Sequence, residues 1–261
     1  MESGATPPPL TRPPSPGVAD PLRANLLIEY EVHALFAFYF NTLNDVIALL
    51  DPILHTPNYC QTACPFLFSS ILTVSAKVIR PDLYPACLQI CEKMTGQAYR
   101  TGNSSIETIQ SLALLAFWRE ANDPTAWAKT GHAIRLGFYL GLHRPGTRPL
   151  PADEMEARLI LNRERTWLLS DHNLAMQYQL PQMILDEKKG HVRSWIQDHG
   201  HLACPQDAIL APALELCQLF KLLDDLVEIR DDDGLRTESL LKMLEIEGSR
   251  WAETWLSPNG R

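Results

Sequence analysis

The chain has 261 residues, 46% of them hydrophobic and 21% charged, as expected for a globular protein with a sizeable core. A formal net charge of −8, with no dense run of lysine and arginine, argues against DNA binding by this chain alone. Residues 1–4 carry no basic segment, and no apolar segment follows, so we expect no secretory signal. Charged residues and a histidine interrupt the apolar stretch 26–40, which is therefore not expected to span a membrane.

The first 24 residues read as a disordered or polyproline-like leader of the kind that tethers one domain to another. They contain seven prolines, at positions 7, 8, 9, 13, 14, 16 and 21. Such a segment keeps no regular backbone hydrogen-bond ladder and buries little surface. Residues 25–256 are expected to form one helical domain, and residues 257–261 a short tail.

Within residues 25–256, apolar side chains recur at steps of three and four, which predicts helices. The first predicted helix ends at Asp51-Pro52, the second begins at Pro65, and the third covers residues 85–100. A fourth is expected after the motif Ser104-x-x-Glu107, which has the form of a capping box.

The second half of the chain continues the helical pattern. A fifth helix follows Asp123-Pro124 and ends before Gly141, and a sixth runs from Asp153 to about residue 180. Two further helices cover residues 205–229 and the stretch from 235 onward. The interior glycine Gly137 weakens the fifth helix and predicts close approach of a neighbour. The sequence therefore predicts an all-α fold, an irregular array of about eight packed helices in a single domain.

The cysteines form two pairs with helical spacing, Cys60 with Cys64 and Cys87 with Cys91. A four-residue step places two thiols on one helix face, where zinc could bind. Cys87 and Cys91, however, continue to Met94 and Ala98 in one apolar stripe, which favours buried thiols. We therefore predict no metal site and no disulfide framework, with zinc as the less favoured alternative.

No catalytic motif is recognisable. Phosphate-binding glycine loops, the zinc-protease motif and the hydrolase serine motif are all absent from the sequence. The tightest histidine group, His199-Gly-His201, lies in a polar loop and is expected to be solvated. We predict that the chain is not an enzyme and has no catalytic residue.

One carboxylate is expected in apolar surroundings. On the sixth helix Asp171 shares a face with Trp167, Leu174, Ala175 and Tyr178. A buried carboxylate needs a partner, and the candidate cations are Arg163, Arg165 and Arg135. A structural ion pair is the favoured interpretation, and a role in sensing a ligand is the alternative.

Four stretches resemble the fungal-specific transcription factor domain, the middle homology region of zinc-cluster transcription regulators. They contain LFAFYFNTLNDVIALLDPIL within residues 31–54, CPFLFSSILTVSA at 64–76, SIETIQSLALLAFW followed by AWAKTGHAIRLGFYLGLHR within 105–144, and RERTWLLSDHNLAMQYQLP at 163–181. The residues that match the family motifs most closely are Gly141, Leu142, His143, Arg144, Asp171 and Pro181. Gln179 and Leu180 replace the glycine and arginine that precede the proline in the family.

The resemblance implies a nuclear regulatory domain that modulates transcription. It implies contacts with the transcription machinery or co-regulators, and it allows a homodimer and a small-molecule effector. Family members bind DNA through an N-terminal zinc cluster built on closely spaced C-x2-C pairs, which this sequence lacks. We therefore expect no cofactor, no direct DNA binding and no membrane association for this chain.

An effector pocket between helices would draw on large aromatic side chains. The candidates are Trp127, Phe138, Trp167 and Tyr178, although aromatic residues of this kind more often belong to the core. Two other functions stay open at this stage. One is a helical scaffold unrelated to transcription, and the less favoured one is an all-α enzyme that acts on a hydrophobic metabolite.

Overall fold

A computed structural model of the chain describes residues 18–144, 146–169, 195–196, 199–202, 204, 206–228 and 235–256. The described residues form ten α-helices and contain no strand, which confirms the all-α prediction. The helices are α1 (Glu29–Phe38), α2 (Asn44–Ile47), α3 (Pro57–Ala63), α4 (Pro65–Ile79), α5 (Tyr84–Thr101), α6 (Ile106–Phe117), α7 (Ala126–Tyr139), α8 (Glu154–Leu169), α9 (Asp207–Glu228) and α10 (Leu235–Trp255). A π-helical turn, Tyr39–Leu43, joins α1 to α2, and a short 3-10 turn, Gly200–Leu202, precedes α9.

Two helices, α4 and α6, lie at the centre of the fold. Residues 66–76 of α4 and residues 108–116 of α6 are all buried, so each of these helices is enclosed on every side. Helix α4 packs against α1, α3, α5 and α6, while α6 also packs against α7 and α8. Three buried hydroxyls of α4 bond within the helix: Ser69 Oγ donates to the Pro65 carbonyl (2.7 Å), Ser70 Oγ to the Phe66 carbonyl (2.9 Å) and Thr73 Oγ1 to the Ser69 carbonyl (2.7 Å).

The first helical segment ends earlier than the sequence predicts. Ala48 has a φ of +54°, and this left-handed residue ends α2 three positions before Asp51. Asn44 stabilises the chain reversal from the inside. Its Oδ1 accepts from the Tyr39 hydroxyl (3.2 Å) and the Leu50 backbone N–H (3.1 Å), while its Nδ2 donates to the Leu50 carbonyl (2.8 Å). A buried side chain thus sets the helix end before the aspartate-proline signal is reached.

The cap of α6 differs by one residue from the prediction. Ser105, not Ser104, is the N-cap, and its Oγ accepts from the Thr108 backbone N–H at 3.1 Å. Glu107 does not close a capping box, because its Oε1 accepts from the hydroxyl of Tyr59 on α3 at 2.9 Å. The predicted local pairing therefore gives way to a contact between helices.

The end of the predicted leader is folded. Asp20 is buried, and its Oδ1 accepts from the backbone N–H groups of Leu22 and Arg23, each at 3.0 Å. The backbone N–H of Val18 donates to Gln97 Oε1 on α5 (3.4 Å). Residues 18–24 therefore belong to the packed part of the chain, whereas residues 1–17 and 257–261 lie outside the described residues.

All six cysteines are buried thiols and none forms a disulfide. The stripe predicted on α5 is confirmed, since Cys87, Cys91, Met94 and Ala98 all belong to the core. Burial raises the pKa of Cys87 to about 11 and that of Cys91 to about 12. These thiols therefore behave as small core side chains at neutral pH.

Within the described ranges, no helix combines the length and the apolar character that crossing a membrane requires.

Two helical glycines give a matched test of packing. A Cβ at Gly137 on α7 would lie 2.9 Å from Trp167 Cζ3 on α8, whereas a Cβ at Gly96 on α5 would meet nothing within 4 Å. We expect Gly96→Ala to raise the free energy of unfolding by up to about 1 kcal/mol because alanine favours the helix. We expect Gly137→Ala to lower it by roughly 1–3 kcal/mol through overpacking. Urea unfolding of both variants measures the difference, and stabilisation by both would contradict the contact with Trp167.

Candidate functional site

Helix α8 carries a polar stripe on a buried face. The stripe follows helical spacing and consists of Arg158, Asn162, Arg165 and Thr166. At its middle, Gln110 of the central helix α6 donates through Nε2 to Asn162 Oδ1 (2.9 Å) and to Thr166 Oγ1 (3.0 Å). The face of α8 that points inward is therefore hydrogen-bonded and charged where an ordinary amphipathic helix would be apolar.

Arg158, the first buried arginine of this stripe, is bound by Asp51 in the loop after α2. Arg158 Nη1 donates to Asp51 Oδ2 at 3.0 Å, and Arg158 Nε donates to Glu154 Oε1 at 2.8 Å. The same Nη1 also lies 3.3 Å from the carbonyl oxygen of Leu202. Asp51 is 107 residues from Arg158 in sequence, so this ion pair joins two distant parts of the chain.

The second buried charge is held by the start of α9. Arg165 binds Asp207 with two parallel hydrogen bonds, Nε to Oδ1 at 2.7 Å and Nη2 to Oδ2 at 2.9 Å. Asp207 Oδ2 also accepts from the Cys204 backbone N–H (2.9 Å) and lies 3.5 Å from His199 Nε2. Only 1% of the Arg165 side chain and none of the Asp207 side chain is exposed. This geometry is the strongest form of arginine–carboxylate pairing.

The pKa of Asp207 reports the balance of these contacts. Burial alone would raise it, but the contacts from His199 and Arg165, together with the Cys204 N–H, lower it to about 2. The desolvation of Arg165 is likewise outweighed by Asp207, so its pKa lies above the ordinary value. Both side chains are therefore charged at neutral pH, and each requires the other.

The thiol of Cys204 lies between the two arginines. Its Sγ is 3.5 Å from Arg165 Nη2 and 4.0 Å from Arg158 Nη1. Burial nevertheless raises the pKa of Cys204 to about 12, because the attraction of Arg165 for a thiolate is smaller than the desolvation cost. The thiol is therefore protonated at neutral pH and is not an activated nucleophile. We call Asp51, Arg158, Arg165, Cys204 and Asp207 together the charged joint.

A tryptophan covers one side of the charged joint. The ring of Trp195 lies 5.8 Å from Arg165 Cζ, within cation–π distance, and its centroid is 4.1 Å from the centroid of the His199 ring. Trp195 Nε1 donates to Glu164 Oε2 at 2.7 Å, and Arg148 Nη2 contacts the same carboxylate oxygen at 2.9 Å. These contacts exclude water from Arg165.

His55 is a further buried polar group and follows Asp51 in the loop after α2. Its Nδ1 lies 2.8 Å from the Asp51 carbonyl oxygen, and because a carbonyl only accepts, Nδ1 carries the hydrogen. Burial lowers the pKa of His55, despite the opposing effect of this hydrogen bond, so the ring is neutral at pH 7. A neutral ring adds no positive charge beside the two arginines.

The carboxylates of the charged joint are occupied by contacts with arginine. Among the residues that the structure describes, no group of three or more histidine, cysteine, aspartate and glutamate side chains is arranged to hold a metal ion. The carboxylates of Asp51 and Asp207 bind arginine instead. The arrangement joins α8 to the loop after α2 and to the start of α9.

The ion pair predicted for Asp171 on the sixth helix stays a prediction, while one of its candidate cations, Arg165, binds Asp207. Arg165 is buried, and the expected partner Asp171 lies outside the described residues. Arg135 is exposed on α7, and Arg163 Nη2 donates to the Leu140 carbonyl (2.9 Å). The spacing of residues around Arg165 does not indicate a bidentate partner on a distant helix.

Two of the four aromatic residues proposed to line an effector pocket contact each other. Phe138 on α7 and Trp167 on α8 contact each other with ring centroids 5.0 Å apart, and Trp167 is buried while 47% of Phe138 is exposed. Trp127 lies about three turns earlier on the same helix, α7. Tyr178 falls outside the described residues.

The segment Gly141–Arg144, which follows α7, forms a turn. Gly141 has a φ of +69°, which favours glycine, and Leu142 is buried. His143 lies against Phe138 and Trp167, with centroid distances of 5.1 Å and 6.2 Å. The remaining motif residues are Arg144, which is exposed, and Asp171 and Pro181, which lie outside the described residues.

Four residues of the site were missed or misread from the sequence: Asp51, Arg158, His199 and Asp207. Asp51 was interpreted only as a helix stop, and His199, expected to be solvated, is fully buried. The one available signal is the helical spacing of Arg158 with Asn162, Arg165 and Thr166, which marks a polar face on α8. The same spacing also fits a solvent-exposed polar face, because the residues that bind this face are far away in sequence.

Known proteins similar to this chain are fungal. Protein priB of Lentinula edodes is 28% identical over 250 residues, which cover 92% of this chain and 41% of that protein. The transcriptional activator of proteases prtT of Emericella nidulans is 24% identical over 177 residues, which cover 65% of this chain and 26% of that protein. No family model matches the chain. No solved structure matches it either.

The chain thus spans less than half the length of either relative. The similarity relates it to a group of fungal proteins that includes a transcriptional activator.

A buried arginine and an exposed arginine, each paired with a carboxylate, allow a controlled test of the charged joint. We expect Arg165→Met to lower the free energy of unfolding by about 3–5 kcal/mol, because Asp207 would remain buried as an uncompensated charge. The control is Arg250→Met on α10, where 63% of the arginine side chain is exposed beside Glu247. There we expect a loss below about 1 kcal/mol. Equal effects of the two substitutions on urea unfolding would contradict the proposed pairing.

Proposed function

We propose that this chain is the regulatory, middle homology domain of a fungal zinc-cluster transcription regulator and acts in the nucleus. The observation that carries the proposal is the 177-residue similarity to a protein named as a transcriptional activator. The all-α fold and the glycine turn at Gly141–Arg144 agree with what the family resemblance implies. The domain acts through contacts with co-regulators, with a second copy or with a small effector.

The charges of the chain support a role without direct DNA contact. The formal net charge is −8, and phosphate binding requires accessible basic side chains. Arg158 and Arg165 are buried in ion pairs and are not available to phosphates. In this proposal, DNA contact belongs to another module of the full-length regulator.

The chemistry of the buried groups supports a role without catalysis. An active site needs polar groups that converge on a space where substrate can bind. The charged groups of the joint bind one another, and the Cys204 thiol is protonated. We therefore propose that the chain controls other molecules and performs no chemical reaction.

A transcription reporter tests this function directly. The chain, fused to an unrelated DNA-binding module in a fungal nucleus, is expected to change reporter output severalfold relative to the module alone. Arg165→Met in the fusion is expected to weaken the effect because it destabilises the fold. Arg250→Met, whose pair is exposed, is expected to leave it intact.

Two results would contradict the proposal. One is reporter output indistinguishable from that of the module alone at equal protein levels. The other is nanomolar, sequence-specific DNA binding by the purified chain. The proposal allows only non-specific binding, with a Kd of about 10⁻⁶ M or weaker at physiological salt.

A further inference from the structure

Among the described residues, helices α9 and α10 form a pair whose contacts with the rest of the protein lie mainly at the start of α9. They pack against each other, and α9 also contacts α2. Leu210, Leu214 and Cys217, all in the first half of α9, are buried. Farther along the same helix, Phe220 and Leu223 are each 42% exposed. We call this pair, Asp207–Glu228 with Leu235–Trp255, the C-terminal arm.

The attached end is fastened by polar contacts concentrated in residues 202–207. Asp207 binds Arg165 with two hydrogen bonds, and the Leu202 carbonyl accepts from Arg158. A third contact runs to the first helical segment, where Gln206 Nε2 donates to Asp45 Oδ1 at 2.9 Å. The apolar contribution at this end comes from Leu210 and Leu214, which belong to the main core cluster.

A buried ion pair of this kind favours either the fully attached or the fully released position of the arm over the positions in between. With the arm attached, Arg165 and Asp207 neutralise each other away from water. A partial displacement would leave both charges buried and separated, which is strongly unfavourable. Complete separation is less unfavourable, because water then solvates both charges. The charged joint therefore opposes small movements of the arm and is compatible with full release.

A proline near the attached end marks the point where α10 is fixed to α9. Pro212 lies inside α9 and has no N–H to donate to the preceding turn, so the helix lacks one backbone hydrogen bond there. The carbonyl of Pro212 accepts from Trp251 Nε1 on α10 at 3.0 Å, and Trp255 Nε1 donates to Glu215 Oε2 at 2.8 Å. These contacts bind α10 to α9, so the two helices move together.

From these observations we propose that the C-terminal arm is a releasable element, latched onto the helical body by Arg165–Asp207 and Gln206–Asp45. Release breaks the polar contacts together and exposes Leu210 and Leu214, which the latched state buries. The body centred on α4 and α6 keeps its own core in both states, since residues 66–76 and 108–116 are enclosed by other helices. The latch gives the domain two conformations whose exposed surfaces differ.

Hydrogen exchange of the complete chain, read by mass spectrometry at neutral pH, tests the latch. In Arg165→Met we expect amides of α9 and α10 to exchange at least about tenfold faster than in the parent protein, and to accelerate by a larger factor than the amides of α4 and α6. Gln206→Ala removes a single hydrogen bond to an exposed aspartate and leaves the ion pair in place. It is expected to accelerate the same two helices by a smaller factor.

Arg250→Met serves as the matched control, because it removes an exposed ion pair within α10 and none of the latch contacts. It is expected to leave exchange in α9 unchanged. Acceleration spread evenly over all helices in Gln206→Ala would show one cooperative unit and overturn the proposal. Unchanged exchange of α9 and α10 in both latch variants would overturn it as well.

Discussion

The paired contact between Arg165 and Asp207 is the constraint on which the rest of this structure depends. Both groups are withdrawn from water, and neither charge is tolerable in that environment alone. The lowered pKa of Asp207 expresses the same dependence, because the contacts from His199 and Arg165 overcome the effect of burial. Two further contacts at the start of α9 adjoin this pair: the Cys204 N–H donates to Asp207 Oδ2, and the Trp195 ring lies 5.8 Å from Arg165 Cζ.

The charged joint connects segments that the hydrophobic core alone would position less specifically. Apolar contacts are non-directional, whereas a bidentate arginine–carboxylate pair fixes distance and orientation. Arg158 fixes the loop after α2 against α8, and Arg165 fixes the start of α9 against the same helix. A domain that acts through its surfaces needs a defined arrangement of helices, and this joint provides it at the point where the C-terminal arm meets the body.

Much of the fold could be predicted from the sequence because it is encoded locally. The three- and four-residue steps of apolar side chains predict the helices, and the fifth predicted helix ends before Gly141, which has a φ of +69° in the structure. The errors arose where a distant group replaced a local partner. Asn44 ends α2 from within the core, and Tyr59 binds the Glu107 carboxylate that a capping box would have used.

The site was less predictable for the same reason. The sequence predicts Arg165 as one candidate partner of Asp171, whereas the carboxylate that binds it in the structure, Asp207, lies 42 residues away on another helix. Nothing in the spacing around Asp207 distinguishes it from an ordinary acidic residue at a helix start. Burial of His199 likewise follows from Trp195 and Asp207 lying beside it, which only the folded chain reveals.

A double-mutant cycle on the ion pair tests the central claim most directly. It compares the free energies of unfolding of Arg165→Met, Asp207→Asn and the double variant with that of the parent protein. We predict a coupling energy of at least about 1 kcal/mol, with the double variant more stable than Arg165→Met, because a neutral amide replaces the stranded charge. Effects that add to within about 0.5 kcal/mol would contradict the claim, since independent residues behave in that way.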